Sequence, residues 1–249
     1  MASFTPTIPA SHPATSRGKR GNLPPVVGTG GGGGRPDPGS PDYGARLRRA
    51  RLGLAVALLP IGMLFVAFTS AYIVRQGLPT FDPHTNTIVH DWIPVRLPTL
   101  LFLINTCVLL LSSATIELAR RQLARQVALE PVQSIPGVSL GRESRIPWLA
   151  LTIGLGFCFL AGQWLAWNDL ATRGFYVATG PSSSFVYLLT GAHAVHLLGG
   201  IIALLAAGAA VLLKRPLASR RIVVDVTAWY WHFMALLWIY ILALLEFAH

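Results

Sequence analysis

Along the chain, apolar and polar positions sort into five long apolar runs separated by polar segments, at about 52–74, 97–118, 147–167, 184–213 and 226–247. A hydrocarbon core near 30 Å takes about 20 helical residues at a rise of about 1.5 Å each, and every run is close to or above that length. The pattern predicts an all-α, polytopic membrane domain over 46–249, built from five transmembrane helices. Proline falls mainly at the edges of the runs, as Pro98 and Pro147 do, where its missing amide hydrogen matters least. Pro60 lies inside the first run and predicts a kink there unless neighbouring groups satisfy the freed carbonyl.

Residues 1–45 follow a different rule. They are rich in Pro, Gly, Ser and Thr, include the unbroken run Gly30 to Gly34, and offer no periodic apolar face. Such a segment cannot bury enough apolar surface to offset its ordering entropy, so a disordered cytoplasmic tail is expected. No apolar stretch follows its basic residues until after Arg51, which does not fit a secretory signal. The glycine run lacks a following Lys and Ser or Thr, which removes the phosphate-cradling reading.

Composition agrees with the pattern. The chain is 53% hydrophobic and 12% charged, against roughly 25% charged in a soluble domain, and its mean hydropathy is +0.54. The formal charge of +10 raises the question of nucleic acid, and placement answers it. Eight basic residues precede the first run, five lie between the second and third (Arg120, Arg121, Arg125, Arg142, Arg145), and four between the fourth and fifth (Lys214, Arg215, Arg220, Arg221). Arg75, Arg96 and Arg173 alone occupy the other connections, so basic and non-basic segments alternate. The positive-inside rule then predicts a cytoplasmic amino terminus and an external, periplasmic carboxyl terminus. No single basic face remains for nucleic acid. The longest connection opens with "ARRQLARQVALE", which fits either a segment lying on the anionic leaflet or a plain continuation of the helix past the membrane. Cys107 and Cys158 sit apart in apolar runs and suggest neither a thiolate metal site nor a disulfide.

Any chemistry must then involve polar residues inside the spans. His193 and His196 stand three apart and share one stripe of the fourth span. Counted from Ser184 they lie about 14 and 18 Å deep, and His232, counted from Val226 at the opposite side, about 9 Å deep. His196 and His232 therefore approach one level, which keeps a bis-histidine haem in view, since two residues on one stripe cannot clasp a haem from both faces. A copper or zinc site on His193, His196 and His232 lacks a nearby carboxylate or thiolate. The plainer alternative is neutral imidazoles hydrogen-bonded across a bundle, with Gly191, Ala192, Gly199 and Gly200 allowing close approach, or contact with lipid headgroups. Glu117, Asp169, Asp225 and Glu246 sit at span ends, where interfacial positioning is expected. A small-solute transporter is disfavoured by five spans that do not divide into halves and by the absence of matched breaks.

The segment "AWYWHFMALLWIYI" closely resembles the last-helix signature of subunit III of haem-copper terminal oxidases, with Tyr230, Trp231, His232, Phe233 and Trp238 at the matching positions. "SFVYLLTGAHAVH" resembles the preceding helix of that family, in which a Ser-Phe pair is followed by Gly-Phe-His-Gly-x-His. "FTSAYIVR", with Tyr72 and Arg75, "LPTLLFLINTCVLLLSS", and "LGFCFLAGQ", ending at Gln163, resemble the three earlier helices of its five-helix bacterial form, in the same order. The resemblance implies a bundle with a lipid-binding V-shaped cleft, holding no haem or copper of its own and not catalytic alone. It implies partners in subunit I, which carries the haems and copper, and subunit II, with bound phospholipid, in an aerobic respiratory complex of the bacterial inner membrane. By that resemblance His193, His196, His232, Trp231, Trp238, Tyr72, Arg75 and Gln163 are candidates for helix packing or lipid contact.

The sequence departs from the family where Ile61, Ala166 and Ala235 stand in place of its usual intramembrane carboxylates. That puts glutamate-linked proton buffering in doubt and leaves a more apolar interior. The long basic connection and the tail do not separate a cytochrome c oxidase, which we favour, from a quinol oxidase or the accessory subunit of a nitric oxide reductase. A haem-ligating membrane cytochrome and a transporter are the alternatives of another class.

Overall fold

The computed structural model describes residues 43–82, 86–89, 92, 97–133, 147–213 and 215–247. Five long helices follow in chain order: α1 (Tyr43–Gly77), α2 (Thr99–Gln133), α3 (Trp148–Thr172), α4 (Pro181–Leu212) and α5 (Leu217–Phe247). Each contains a stretch long and apolar enough to cross a membrane, and the described chain is that of a multi-pass helical membrane protein. The predicted tail lies outside the described residues as far as residue 42, and its last three residues belong to the first turn of α1.

The helices outrun the apolar stretches that predict them. Backbone hydrogen bonding needs good helix formers, not apolar ones, and Ala, Arg, Leu and Gln continue α2 well past its apolar stretch. At 35 residues α2 is about 52 Å long, against about 30 Å of hydrocarbon. Of the two readings of the long basic connection, its first part therefore continues the helix. α1 likewise begins in the basic segment "YGARLRRAR" and runs unbroken through Pro60.

Packing is uneven. α2 lies against α3 and α5, α4 against α3 and α5, and α1 stands outside this group against α4 and α5. The apolar stretch of α5 is 44% buried and that of α1 only 6%, so α5 is the central element and α1 the least held. In lipid, apolar surface gives helices no reason to prefer each other over acyl chains, and close packing around small residues takes over. Trp231 of α5 is the centre of that packing. Its ring approaches the sites of Gly156 on α3 and Gly200 on α4 so closely that an added Cβ would stand 3.0 and 3.1 Å from it.

One element went unforeseen. Between α1 and α2, β1 (Thr80–Asp82) pairs antiparallel with β2 (Thr87–Val89), Thr80 opposite Val89, and Asn86 takes the left-handed turn position at φ 53°. Asn tolerates this region better than most side chains.

Candidate functional site

The polar side chains of the bundle form layers, which are most easily followed from the end where α1 begins. There Asp225, in the third turn of α5, accepts two hydrogen bonds from Arg51 of α1 (Nε 2.7 Å, Nη2 2.9 Å) and one from Arg120 of α2 (Nη1 3.2 Å). Arg120 also donates to Glu117 at 2.8 and 2.9 Å, and Arg121 donates to the same carboxylate at 2.8 Å. His232 stands beside this group, its Nδ1 hydrogen-bonded to Ser113 and its Nε2 3.7 Å from Glu117. Two carboxylates and three arginines thus join α1, α2 and α5. Sequence reasoning places Glu117 and Asp225 at span ends but does not pair them with partners; a carboxylate at the same end as an unmatched arginine cluster is the signal that could have been followed.

The next layer is made of hydroxyl groups. Trp231 donates its indole N–H to Ser112 at 3.1 Å, and Ser112 donates to the Thr152 carbonyl of α3 at 3.3 Å. The Thr115 and Thr152 hydroxyls lie 2.9 Å apart. Toward the hairpin end, Trp238 donates to Thr106 at 2.9 Å, Asn105 donates to the Phe159 carbonyl at 3.1 Å, and Trp167 donates to Thr190 at 3.1 Å. Each of these bonds crosses between helices, and each polar group that it satisfies would otherwise be costly in a low-dielectric interior.

The eight candidate residues do not meet at one point. His193 is fully buried between the rings of Phe159 (centroids 6.0 Å apart) and Trp238 (5.2 Å). His196 packs edge-on against Phe65 of α1 at 5.8 Å and turns its Nδ1 back to the Ala192 carbonyl of its own helix at 2.7 Å. The backbone carbonyl of His196, in turn, accepts from Tyr230 at 2.8 Å. His232 faces α2, as described. Among the described residues no group of three or more His, Cys, Asp and Glu side chains is placed to hold one metal ion. Tyr72 is buried edge-on against Trp92 and Phe185, at 5.1 and 5.7 Å. Arg75 donates to the Leu78 carbonyl at 3.3 Å where α1 ends. Gln163 is buried in the core, as are Ala166 and Ala235, while Ile61 packs at its margin.

A wide apolar groove of about 680 Å³ runs along α1, lined by Ala55, Leu58, Gly62, Met63 and Ala67 with Phe233 of α5. Ser70 is the sole hydroxyl in its lining.

The sequence model of the family described as cytochrome c oxidase subunit III matches residues 45–247. A probable cytochrome c oxidase subunit 3 of Mycobacterium leprae is 29% identical over 100 residues, 40% of this chain and half the length of that relative. The cytochrome c oxidase subunit 3 of Thermostichus vulcanus is 27% identical over 197 residues, 78% of this chain and 85% of the relative. That of Struthio camelus is 24% identical over 194 residues, 77% of this chain and 66% of the relative.

Proposed function

The chain belongs to the cytochrome c oxidase subunit III family, and we propose that it serves as the cofactor-free accessory subunit III of an aerobic haem-copper cytochrome c oxidase. In this role it packs against a subunit I that carries the haems and copper, with subunit II in the same complex, and supports the stability and turnover of subunit I. The reading rests on how the bundle spends its polar residues: those bonded between helices join α1 through α5 to one another, and the three histidines inside the spans face three separate sets of neighbours. That is the distribution expected of a scaffold and lipid-contact element. A site that binds a metal gathers its ligands, and the charged groups that do gather, around Glu117 and Asp225, are carboxylates paired with guanidinium groups at one end of the bundle.

The groove along α1 supports bound phospholipid. Its walls are apolar, it is open along one side, and its length lies parallel to a spanning helix, as an acyl chain does in a bilayer. The gathering of Arg51, Arg120 and Arg121 at one end of the bundle supports a cytoplasmic amino terminus and a periplasmic carboxyl terminus in a bacterial inner membrane.

Purification in a mild detergent, with identification of the co-purifying chains, tests the proposal. A haem-bearing, many-helix partner that loses turnover when this chain is stripped away is the expected result. A stable isolated chain that moves solute into liposomes would overturn it. So would a Soret band from the isolated polypeptide at about one haem per chain that vanishes in His196→Ala or His232→Ala.

A further inference from the structure

Gln163 and His193 are 2% and 0% exposed, and neither the amide of the one nor either ring nitrogen of the other has a hydrogen-bond partner on the protein. Four polar atoms without partners in one core contrast with the interhelical bonds around them. The two residues stand at one level. Trp167 of α3 bonds Thr190 of α4, and in an antiparallel pair a step of four residues back along α3 meets a step of four forward along α4, which sets Gln163 opposite the turn of His193 and Ala194. Phe159, one turn from Gln163, is also the residue whose ring meets His193.

The hydrogen bonds of the polar neighbours go elsewhere. Thr190 is committed to the Val186 carbonyl and to Trp167, and Asn105 donates to the Phe159 carbonyl. The apolar residues beside the pair, Ala166 one turn from Gln163 and Ala194 next to His193 in the chain, are buried and end in a methyl group. They offer no hydrogen bond and fill nothing beyond their Cβ atoms. Solvent exposure near zero excludes a lipid headgroup or a partner side chain as the source of hydrogen bonds. Buried water makes two to four bonds to polar groups of this kind, and an amide with an imidazole supplies both donors and acceptors for it.

We infer that Gln163 and His193 form a buried water-binding site that hydrogen-bonds α3 to α4 at mid-bundle. Gln163 offers donor and acceptor from one helix, His193 offers one of each from the other, and the rings of Phe159 and Trp238 wall the site from lipid. The water does for this crossing what Asn105 does directly for the crossing of α2 with α3.

Density for the assembled complex, at a resolution that shows ordered water, is the test. The expected result is a solvent peak within about 3.2 Å of both the Gln163 amide and a His193 ring nitrogen. A direct bond between the two side chains with no peak would overturn the inference. The full-length variants Gln163→Met and His193→Phe give an independent reading that does not depend on density. Each removes one side of the site and lowers the thermal midpoint, and together they lower it by less than the sum of the two. A midpoint that rises in either variant identifies a dry, unsatisfied pair and sinks the proposal.

Discussion

Asp225→Asn probes the attachment of α1 to the bundle. The carboxylate is 8% exposed and is shared by Arg51, whose side chain is 45% exposed, and Arg120, at 32%. Asparagine keeps the shape but leaves one acceptor oxygen and turns an N–H toward a guanidinium, so at least one of three charge-assisted bonds is lost and the others weaken. Breaking a fully buried pair costs about 3–5 kcal/mol and an exposed one about 0–1. Arg51 can swing toward the membrane boundary, which relieves part of the penalty, so about 2 kcal/mol is expected. For a domain of this size that corresponds to a fall of roughly 4–8 °C in the thermal midpoint in detergent. Arg121→Gln is the control, since Arg121 is 69% exposed and bonds only Glu117 among the residues described above. It should move the midpoint by less than about 2 °C. The decisive form is a double-mutant cycle with Arg51→Gln: strong non-additivity is expected from two groups in direct contact. Equal shifts for Asp225→Asn and Arg121→Gln, or an additive cycle, would refute the reasoning that this ion group holds α1.

Three further outcomes follow from the packing. Gly200→Val would drive a side chain into the rings of Tyr230 and Trp231 and should destabilise by about 1–3 kcal/mol, whereas Gly199→Ala, with its nearest neighbour 3.6 Å away, should leave the midpoint within about 2 °C. Trp231→Phe retains an aromatic ring but removes the bond to Ser112 and should cost about 1–2 kcal/mol, against about 3–5 for Trp231→Ala; thermal unfolding in detergent separates the two. His232→Ala breaks the bond to Ser113 and should leave the haem absorbance of the purified complex unchanged, as read from its visible spectrum.

The five helices were legible because a spanning helix needs about 20 apolar residues in a row, a signal that requires no knowledge of contacts. Their ends were not, because the apolar count stops where composition changes while backbone bonding goes on, as it does from residue 118 to Gln133 in α2. The hairpin escaped for a related reason: three residue pairs give no usable alternation. Of the candidate site, the resemblance singles out Trp231, His232, Trp238 and Gln163, but it says nothing of their surroundings. Arg51 and Asp225 are 174 positions apart, and nothing local marks them as partners. The depth count, made from opposite ends of two spans, brings His196 and His232 toward one level; it has no term for direction around each helix, and the structure turns His196 to Phe65 and His232 to Ser113.

The manner in which α1 is held bears on what the bundle can do. Near its start, Arg51 ties it to Asp225; near its end, Thr69 accepts a hydrogen bond from Tyr240 of α5 at 2.8 Å. The two fastenings stand eighteen positions apart, about 27 Å of helix. Along that length α1 turns Ala55, Leu58, Gly62 and Ala67 to the open groove, and Phe65 alone of its side chains is buried. The polar bonds sit at the two ends, where a helix crosses from hydrocarbon to the polar boundary, and the middle is left to apolar contact. In a bilayer such contact does not distinguish a neighbouring helix from an acyl chain, so α1 can exchange one for the other along its middle without losing either fastening. α2 and α5 have no such freedom, because the polar bonds between them are spaced along the core, from Thr106 with Trp238, through Ser112 with Trp231 and Ser113 with His232, to Arg120 with Asp225.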